Sequence, residues 1–228
     1  MDSHEKTTLP NVYVISKTVR EEGMRVVLSG QGGDEVFGGY PSFRRISRMV
    51  HLWPLLASLP TALKKQFTAH LRGKGIAKDK IGQYLLSDGS ESSFMSILRQ
   101  LFTPEQRKLL LSHGVSGELQ YGIPIEGVRR LQDEISTLGT FNSTAVLELR
   151  GYLANMLLRD GDVMSMAHGL EVRVPYLDHR VVEHAFSIPT AQKVSRFSPK
   201  PLLLQSVKNV IPREIWARKK MGFTFPWE

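Results

Sequence analysis

The stretch VVLSGQGGDEVFGGY, Val26–Tyr40, constrains the fold more than any other part of the chain. Its first residues continue a β-branched apolar run, Met24–Leu28, that lacks alternation and predicts a strand buried on both faces, as in a parallel sheet. Before it, Asn11 is a candidate cap for a helix that Gly23 would end. A helix, a buried strand and a glycine loop in succession are typical of an α/β fold.

The loop after the strand is dense in glycine, which indicates that backbone must come close to another group. Bare N–H groups followed by a helix start favour an anion such as a phosphate. A dinucleotide fingerprint would need a third glycine where Glu35 stands, and a Walker loop would need lysine directly after Gly38. A plain alternative is a sharp turn in which Asp34 caps the next helix.

The region after Tyr40 has helical spacing of its apolar residues. Thr61 is a candidate cap for a helix with Leu63, Phe67 and Leu71 in register, and TPEQ, Thr103–Gln106, predicts a capping box before a helix that would end at Gly114. A further helical run extends to Leu157 after the candidate caps Asn142 and Ser143. The stretch Arg72–Lys80 predicts a solvated loop.

Two later stretches are rich in charge; counting the glycine loop with its acids as the first, they are the second and third charged stretches of the chain. In RDGDVMSMAHGLEVRVPYLDHR, Arg159–Arg180, Val174-Pro175 predicts an extended segment on which Glu171 and Arg173 would share a face and could pair with each other. Asp178 then predicts the cap of a helix, and the histidines of this region are predicted to be structural or surface residues. The basic end of the chain follows, in which Pro201 predicts a helix start.

The composition narrows the classes of function. The chain has 228 residues, 41% of them apolar, and a net charge of +8, which suits an anionic partner. It contains no cysteine, so thiolate catalysis and cysteine-ligated zinc are excluded within it. The polar N-terminus and the lack of a long apolar run predict neither a signal peptide nor a membrane partner, and hence a cytoplasmic setting.

The net charge also allows a basic helical module that binds nucleic acid. Such a module would need basic residues interleaved with exposed aromatic residues. Phe94, Phe102 and Phe197 stand instead in apolar, helix-like surroundings, so no nucleic-acid partner is predicted. A helical interaction module would account for residues 44–150 and would leave the glycine loop unexplained.

Three ordered motifs together resemble the synthetase domain of the glutamine-dependent asparagine synthetase family. That family shows S-G-x-G-x-D-E-x-F-x-G-Y, here Ser29–Tyr40, then M-S-M-A-x-x-L-E-x-R-x-P-x-L-D, here Met164–Asp178, and R-x-K-x-G-F, here Arg218–Phe223. The resemblance implies an α/β, predominantly helical part of an adenine-nucleotide-alpha-hydrolase-like (ATP pyrophosphatase) domain. It implies three segments: residues 1–43 as the end of the nucleotide-binding core, 44–150 as a helical region, and 151–228 as the active-site and C-terminal segment.

The resemblance assigns ATP and Mg²⁺ to the glycine loop. Ser29 and Gly30 would contact the adenylate phosphate, and Gly32 and Gly33 would allow its close approach. Asp34 would bind Mg²⁺, which suits an acid beside phosphates.

It assigns the chemistry to residues around that loop. Lys200 and Lys220 would hold pyrophosphate and charge that develops in the transition state. Glu171 matches a glutamate that orients the general base in the related β-lactam synthetases. Gln31 stands where asparagine-forming relatives often carry glutamate; it would contact the acyl group and, as an amide, would not act as the base.

The resemblance also implies partners. The substrates would be ATP, aspartate or another carboxylate such as one on a sugar or peptide, and ammonia from a glutaminase domain outside this chain. No match to the family's upstream S-G-G-x-D-S motif occurs, so the chain resembles the second half of a synthetase domain and is expected to be inactive alone. A homodimer is one assembly that the sequence leaves open.

Overall fold

The computed structural model of the chain describes residues 8–103, 106, 109–110, 119–120, 123–195 and 198–217. These residues are mainly helical, with one parallel and one antiparallel pair of short strands. The predicted, predominantly helical α/β class is confirmed, while the relation to ATP pyrophosphatases stays a prediction. No helix in these ranges is long and apolar enough to cross a membrane.

The helices and strands follow one another along the chain with short connections. They are α1 (Thr8–Glu21), β1 (Val26–Leu28), α2 (Gly33–Phe37), α3 (Pro41–Ala57), α4 (Thr61–Leu71), α5 (Ile76–Leu86), α6 (Glu91–Arg99), β2 (Leu119–Gln120), β3 (Ile123–Pro124), α7 (Ile125–Ile135), α8 (Thr140–Leu147), a π-helix (Glu148–Leu157), α9 (Leu158–Met166), β4 (Glu171–Arg173), a 3₁₀ turn (Pro175–Leu177), α10 (His179–Ser187), α11 (Thr190–Lys193), α12 (Pro201–Val207) and α13 (Arg213–Trp216).

Contacts divide the chain into two compact units. The first unit consists of Met1–Gly39 and Glu148–Glu228, and the second is Tyr40–Leu147. The first unit therefore contains the glycine loop and the second charged stretch together. The predicted assignment of functions to residues 1–43, 44–150 and 151–228 stays a prediction.

The first unit contains a parallel strand pair. β1 and β4 align with Val26 opposite Glu171 and Leu28 opposite Arg173. Beyond the last pair, the Ser29 amide donates to the Arg173 carbonyl at 2.8 Å. The prediction that residues around Glu171 are extended is therefore confirmed.

The prediction that β1 is buried on both faces is wrong. Val26 is 42% exposed and Leu28 is 74% exposed, while Val27 between them is half-buried. Among the described residues β1 pairs with one strand, β4. An apolar run shows that a strand can be buried on both faces, but the helices or strands that bury it must be supplied by other segments.

The core of the first unit joins α2 to the helices that follow β4. Val36, Phe37 and Ala185 are its buried members, with Leu202 and Leu203 packed against them. α10 begins where the sequence predicts, because the Asp178 side chain accepts a hydrogen bond from the Arg180 amide. α12 likewise begins at Pro201.

A π-helix interrupts the long helical run before the second charged stretch. The run begins at Thr140, two to three residues before the predicted caps, and changes to π geometry from Glu148 to Leu157. The Asn155 side-chain amide donates to the carbonyls of Arg150 at 2.7 Å and Gly151 at 3.0 Å. The spacing of apolar residues did not predict the π-helix. A π-helix adds a residue to a helical turn while the apolar face of the run continues, so the pattern still resembles an α-helix.

The second unit is an all-helical core with the β2–β3 hairpin. The buried members of its core cluster are Ile46, Phe94, Met95, Ile135 and Leu147. Phe94 is fully buried, whereas Phe102 is 49% exposed. The Tyr84 ring lies 5.1 Å from that of Phe94, and its hydroxyl donates to the Met49 carbonyl at 2.7 Å.

Local predictions in the second unit have mixed outcomes. The capping box is confirmed: the Thr103 amide donates to Gln106 Oε1 at 2.9 Å, and the Gln106 amide donates to Thr103 Oγ1 at 3.2 Å. Gly114 lies outside the described residues. Thr61 is the first residue of α4 rather than its cap, which is Pro60. In the first unit, α1 begins at Thr8 rather than at the predicted cap Asn11.

The predicted solvated loop Arg72–Lys80 is wrong over its second half. Gly73 and Gly75 have positive φ and form a turn, but α5 begins at Ile76. Lys80 is half-buried, its ammonium donates to the Leu98 carbonyl at 2.8 Å, and burial lowers its pKa. A charged, glycine-rich stretch therefore contains the start of a helix here, and the half-buried Lys80 bonds its charge to a carbonyl.

Candidate active site

The glycine loop and the segment after β4 lie at the same edge of the parallel strand pair. The loop follows the carboxyl end of β1, and the 3₁₀ turn Pro175–Leu177 follows the carboxyl end of β4. In parallel sheets ligands bind outside this edge. The candidate site is therefore this edge with the loops that leave it.

Close approach to protein side chains explains two of the loop's glycines. Gly32 has φ of 90°, and a Cβ there would collide with the Leu177 side chain. A Cβ at Gly33 would lie 3.3 Å from the Tyr176 ring. Within the part of the chain that the structure describes, no atom beyond its chain neighbours lies within 4 Å of the Cβ position of Gly30. Packing against these residues therefore does not require glycine at position 30.

The short helix after the loop differs from the sharp-turn alternative. Gly32 is its N-cap and makes no side-chain capping bond, whereas Asp34 lies in its first turn. The alternative in which Asp34 caps α2 is therefore wrong. α2 has 5 residues, so its dipole contributes less than that of a full-length helix.

Asp34 forms an ion pair with Lys200. Lys200 Nζ lies 2.9 Å from Asp34 Oδ1, with the two side chains 28% and 22% exposed. Lys200 adopts left-handed backbone angles, φ 51° and ψ 51°, directly before Pro201. The structure thus brings the third charged stretch onto the glycine loop, which sequence spacing alone does not require.

Gln31 is half-buried and held at both ends. Its backbone amide donates to Ser29 Oγ at 3.3 Å. Its side-chain Nε2 donates to the carbonyl of Leu157, the last residue of the π-helix, at 3.3 Å. This side chain therefore links the loop to the carboxyl end of the π-helix.

Glu171 pairs with Arg173 two residues later on β4. Arg173 Nε lies 2.7 Å from Glu171 Oε1, and the two side chains are 62% and 56% exposed. The predicted pairing of these residues is confirmed. An exposed pair of this kind stabilises little, so Glu171 can exchange this partner for another at small cost.

Asp178, the last residue of the second motif, has a strongly lowered pKa. The Arg180 guanidinium donates to both its carboxylate oxygens at 3.0 Å, and the Arg180 amide donates as well. These bonds lower the pKa of Asp178 to about 2. Asp178 is therefore a charged helix cap at any pH near neutrality.

Asp34 suits Mg²⁺ as one ligand of a shared site. The described residues contain no group of three or more histidine or acidic side chains that could hold a metal by themselves. Mg²⁺ commonly takes one or two carboxylates and completes its shell with phosphate oxygens and water. The half-buried carboxylate of Asp34 beside the glycine loop fits that mode, and Mg²⁺ would there neutralise phosphate charge.

Several neighbours of the loop were missed by sequence reasoning. The Leu157 carbonyl, Gly161, Tyr176 and Leu177 all contact it, and none carries a reactive group that a sequence scan would single out. Lys193 was missed too: it is buried, and its ammonium donates to the Ala185 carbonyl at 2.9 Å near the end of α10. Burial lowers its pKa. Lys220 lies outside the described residues.

An apolar groove of about 740 Å³ lies elsewhere in the first unit. Its lining includes Phe37, Val181, Leu202 and Leu203 and contains none of the predicted site residues. The candidate site is therefore assigned to the loop edge and not to this groove.

The fold and this edge define an α/β protein whose candidate site lies where a glycine loop leaves a parallel strand pair. The chain belongs to the asparagine synthase family, whose model matches residues 7–228. This finding confirms the resemblance, and the family is one of enzymes.

Relatives of two kinds match nearly the whole chain. Asparagine synthetase [glutamine-hydrolyzing] 1 of Bacillus subtilis is 29% identical over 94% of this chain and 33% of its own length. Amidase chyE of Penicillium rubens is 26% identical over 98% of this chain and 36% of its own length. Asparagine synthetase [glutamine-hydrolyzing] 3 of B. subtilis is 29% identical over 87% and 26%. The chain thus spans about a third of these relatives or less, and no solved structure matches it significantly.

Proposed function

We propose that the chain forms part of a synthetase site that activates a carboxylate with ATP and transfers the acyl group to ammonia. The products would be an amide, AMP and pyrophosphate. The observation that carries the proposal is the 2.9 Å contact between Lys200 and Asp34, because it joins two of the three charged stretches at one loop. Family membership supports the reaction class.

The glycine loop is proposed to hold the phosphates of ATP. Ser29 and Gly30 would contact the adenylate phosphate; Gly30 is exposed and its backbone is open to a ligand. Gly32 and Gly33 are proposed to shape the loop around that phosphate, in addition to their packing against the 3₁₀ turn. Asp34 would hold Mg²⁺, which neutralises charge on the phosphates.

Lys200 is proposed to exchange partners when ATP binds. With Asp34 as its counter-ion, its ammonium lies at the loop before any phosphate arrives. A pyrophosphate leaving group carries more charge than one carboxylate, so Lys200 would turn to it while Asp34 takes Mg²⁺. Lys220 is proposed to stabilise the same developing charge.

Glu171 and Gln31 are proposed to act at the acyl group. Glu171 would leave its exposed ion pair with Arg173 and bind the group that acts as the general base. In that position it would orient the base towards the proton that is removed. Gln31 would contact the substrate and would not take a proton, because its amide has no basic site at neutral pH.

Two acceptor classes are supported by different observations. The relatives named as asparagine synthetases favour aspartate, which would give asparagine. The relative named as an amidase, together with glutamine at position 31, favours another carboxylate. Ammonia from a glutaminase domain outside this chain, a homodimer and a cytoplasmic location stay predictions.

Product analysis with the whole protein tests this proposal. We expect ATP, Mg²⁺, ammonium and an accepted carboxylate to yield amide and AMP in equal amounts. Lys200→Gln should lower the turnover roughly 10²–10³-fold, as for one lost transition-state donor, while Lys208→Gln, an exposed control nearby, stays near wild type. Formation of ADP in place of AMP, or equal effects of the two variants, would contradict the proposal.

A further inference from the structure

The orientation of the Gln31 amide follows from its partner. The group 3.3 Å from the Leu157 carbonyl must be the side-chain NH₂, because a carbonyl can only accept a hydrogen bond. Gln31 Oε1 then faces away from that carbonyl, and no described residue donates a hydrogen bond to it. The loop therefore offers one neutral acceptor of fixed direction.

Gly161 makes room for this amide on the face of α9. It is a buried residue inside a helix, where glycine is less favourable than alanine. Beyond its own helix, the atoms of the described residues within 4 Å of its Cβ position are Gln31 Nε2 at 3.4 Å and Oε1 at 3.7 Å. The side chain of Gln31 thus lies flat against bare helix backbone at the junction between the π-helix and α9.

At position 31, a carboxylate cannot make the hydrogen bond to the Leu157 carbonyl that the glutamine amide makes. Glutamate at position 31 would direct an anionic oxygen at the Leu157 carbonyl oxygen, so two acceptors would face each other with no proton between them. Glutamate would have to turn away or bind a proton. The surroundings of position 31 therefore select glutamine over the glutamate that its shape resembles.

We propose that the Leu157 carbonyl and Gly161 form a seat that fixes the Gln31 amide and presents Oε1 to an N–H of the attacking amine. This inference rests on the proposed function and assigns Leu157 and Gly161 as positioning residues. As nitrogen attacks, its lone pair forms the C–N bond and the C–O bond to AMP breaks. The excess proton on nitrogen goes to water or to the AMP phosphate, while Gln31 orients the nucleophile and keeps its own protons.

A titration tests the seat without requiring activity. In protein labelled with ¹³C-glutamate, we expect the new carboxyl of Gln31→Glu to titrate at least about one pH unit above that of Gln205→Glu. Gln205 is an exposed residue of α12 in the same unit and provides the control. The elements that adjoin Gln31 contribute the charged residues Asp34 and Glu35 on α2 and Arg159, Asp160 and Asp162 on α9, and both variants retain them. An unraised pKa for Glu at position 31 would overturn the seat.

A kinetic split tests the presentation of Oε1. Gln31→Met keeps the length of the side chain but removes donor and acceptor. We expect it to raise the KM for ammonia at least about tenfold, a larger factor than that by which it lowers carboxylate-dependent exchange of pyrophosphate into ATP. An unchanged KM for ammonia, or an equal loss of exchange, would overturn the role. Absence of exchange in the wild type would instead refute the proposed function and leave the titration to decide the seat.

Discussion

At the scale of single residues, the glycine loop serves two requirements that the sequence does not separate. Gly32 and Gly33 are small because Leu177 and Tyr176 pack on them, whereas Gly30 faces open space. The sequence predicts a close approach to backbone at all of these positions. The sequence does not show which glycines are packed by protein side chains and which are available to a ligand, because the residues that pack on them lie far away in the chain.

Alanine at these two positions should separate folding from binding. We expect Gly32→Ala to lower the free energy of unfolding by about 1–3 kcal/mol, because of its positive φ and the collision with Leu177. Gly30→Ala should leave stability within about 0.5 kcal/mol but raise the KM for ATP. Chemical denaturation and steady-state kinetics measure both. An unaltered KM for ATP in Gly30→Ala would contradict the placement of the adenylate phosphate.

At the scale of elements, signals carried by neighbouring residues were predictable. The capping box at Thr103 and the cap at Asp178 form as predicted, because each needs only residues two or three positions apart. The cover over β1 and the π geometry after Glu148 were not predictable. Both depend on which distant segments pack against the element, and apolar spacing contains no record of that.

The cap of α10 should give the protein a specific acid sensitivity. The folded pKa of Asp178, about 2, lies below its ordinary value of 3.8. Its stabilising effect is therefore complete above about pH 4 and is lost as the pH falls towards 2. We expect Asp178→Asn, which keeps an acceptor but not the charge, to show a smaller fall in melting temperature over this range than wild type.

Glu183→Gln is the matched control for that measurement. It removes an exposed acid from the same helix without touching the cap. It should retain the wild-type fall in melting temperature between about pH 4 and pH 2. A control that loses the fall as fully as Asp178→Asn would mean that the general charge of the helix, and not the cap, sets the acid sensitivity.

At the scale of the whole molecule, the motifs predicted the family better than the architecture. Three short patterns identified the asparagine synthase family, which then matched residues 7–228. The division into two units, with residues from both ends of the chain in one of them, was not predicted. Motifs record the residues around a site, whereas the pairing of β1 with β4 joins segments that no local pattern connects.

The central claim is that this chain contributes to a site that adenylates a carboxylate. Its most direct test is exchange of labelled pyrophosphate into ATP by the whole protein, with and without candidate acids. We predict exchange that depends on a carboxylate, and a fall of roughly 10²–10³-fold in Lys220→Ala but little change in Lys219→Ala. Exchange that is absent with every acid, or equally weakened in both variants, would contradict the account.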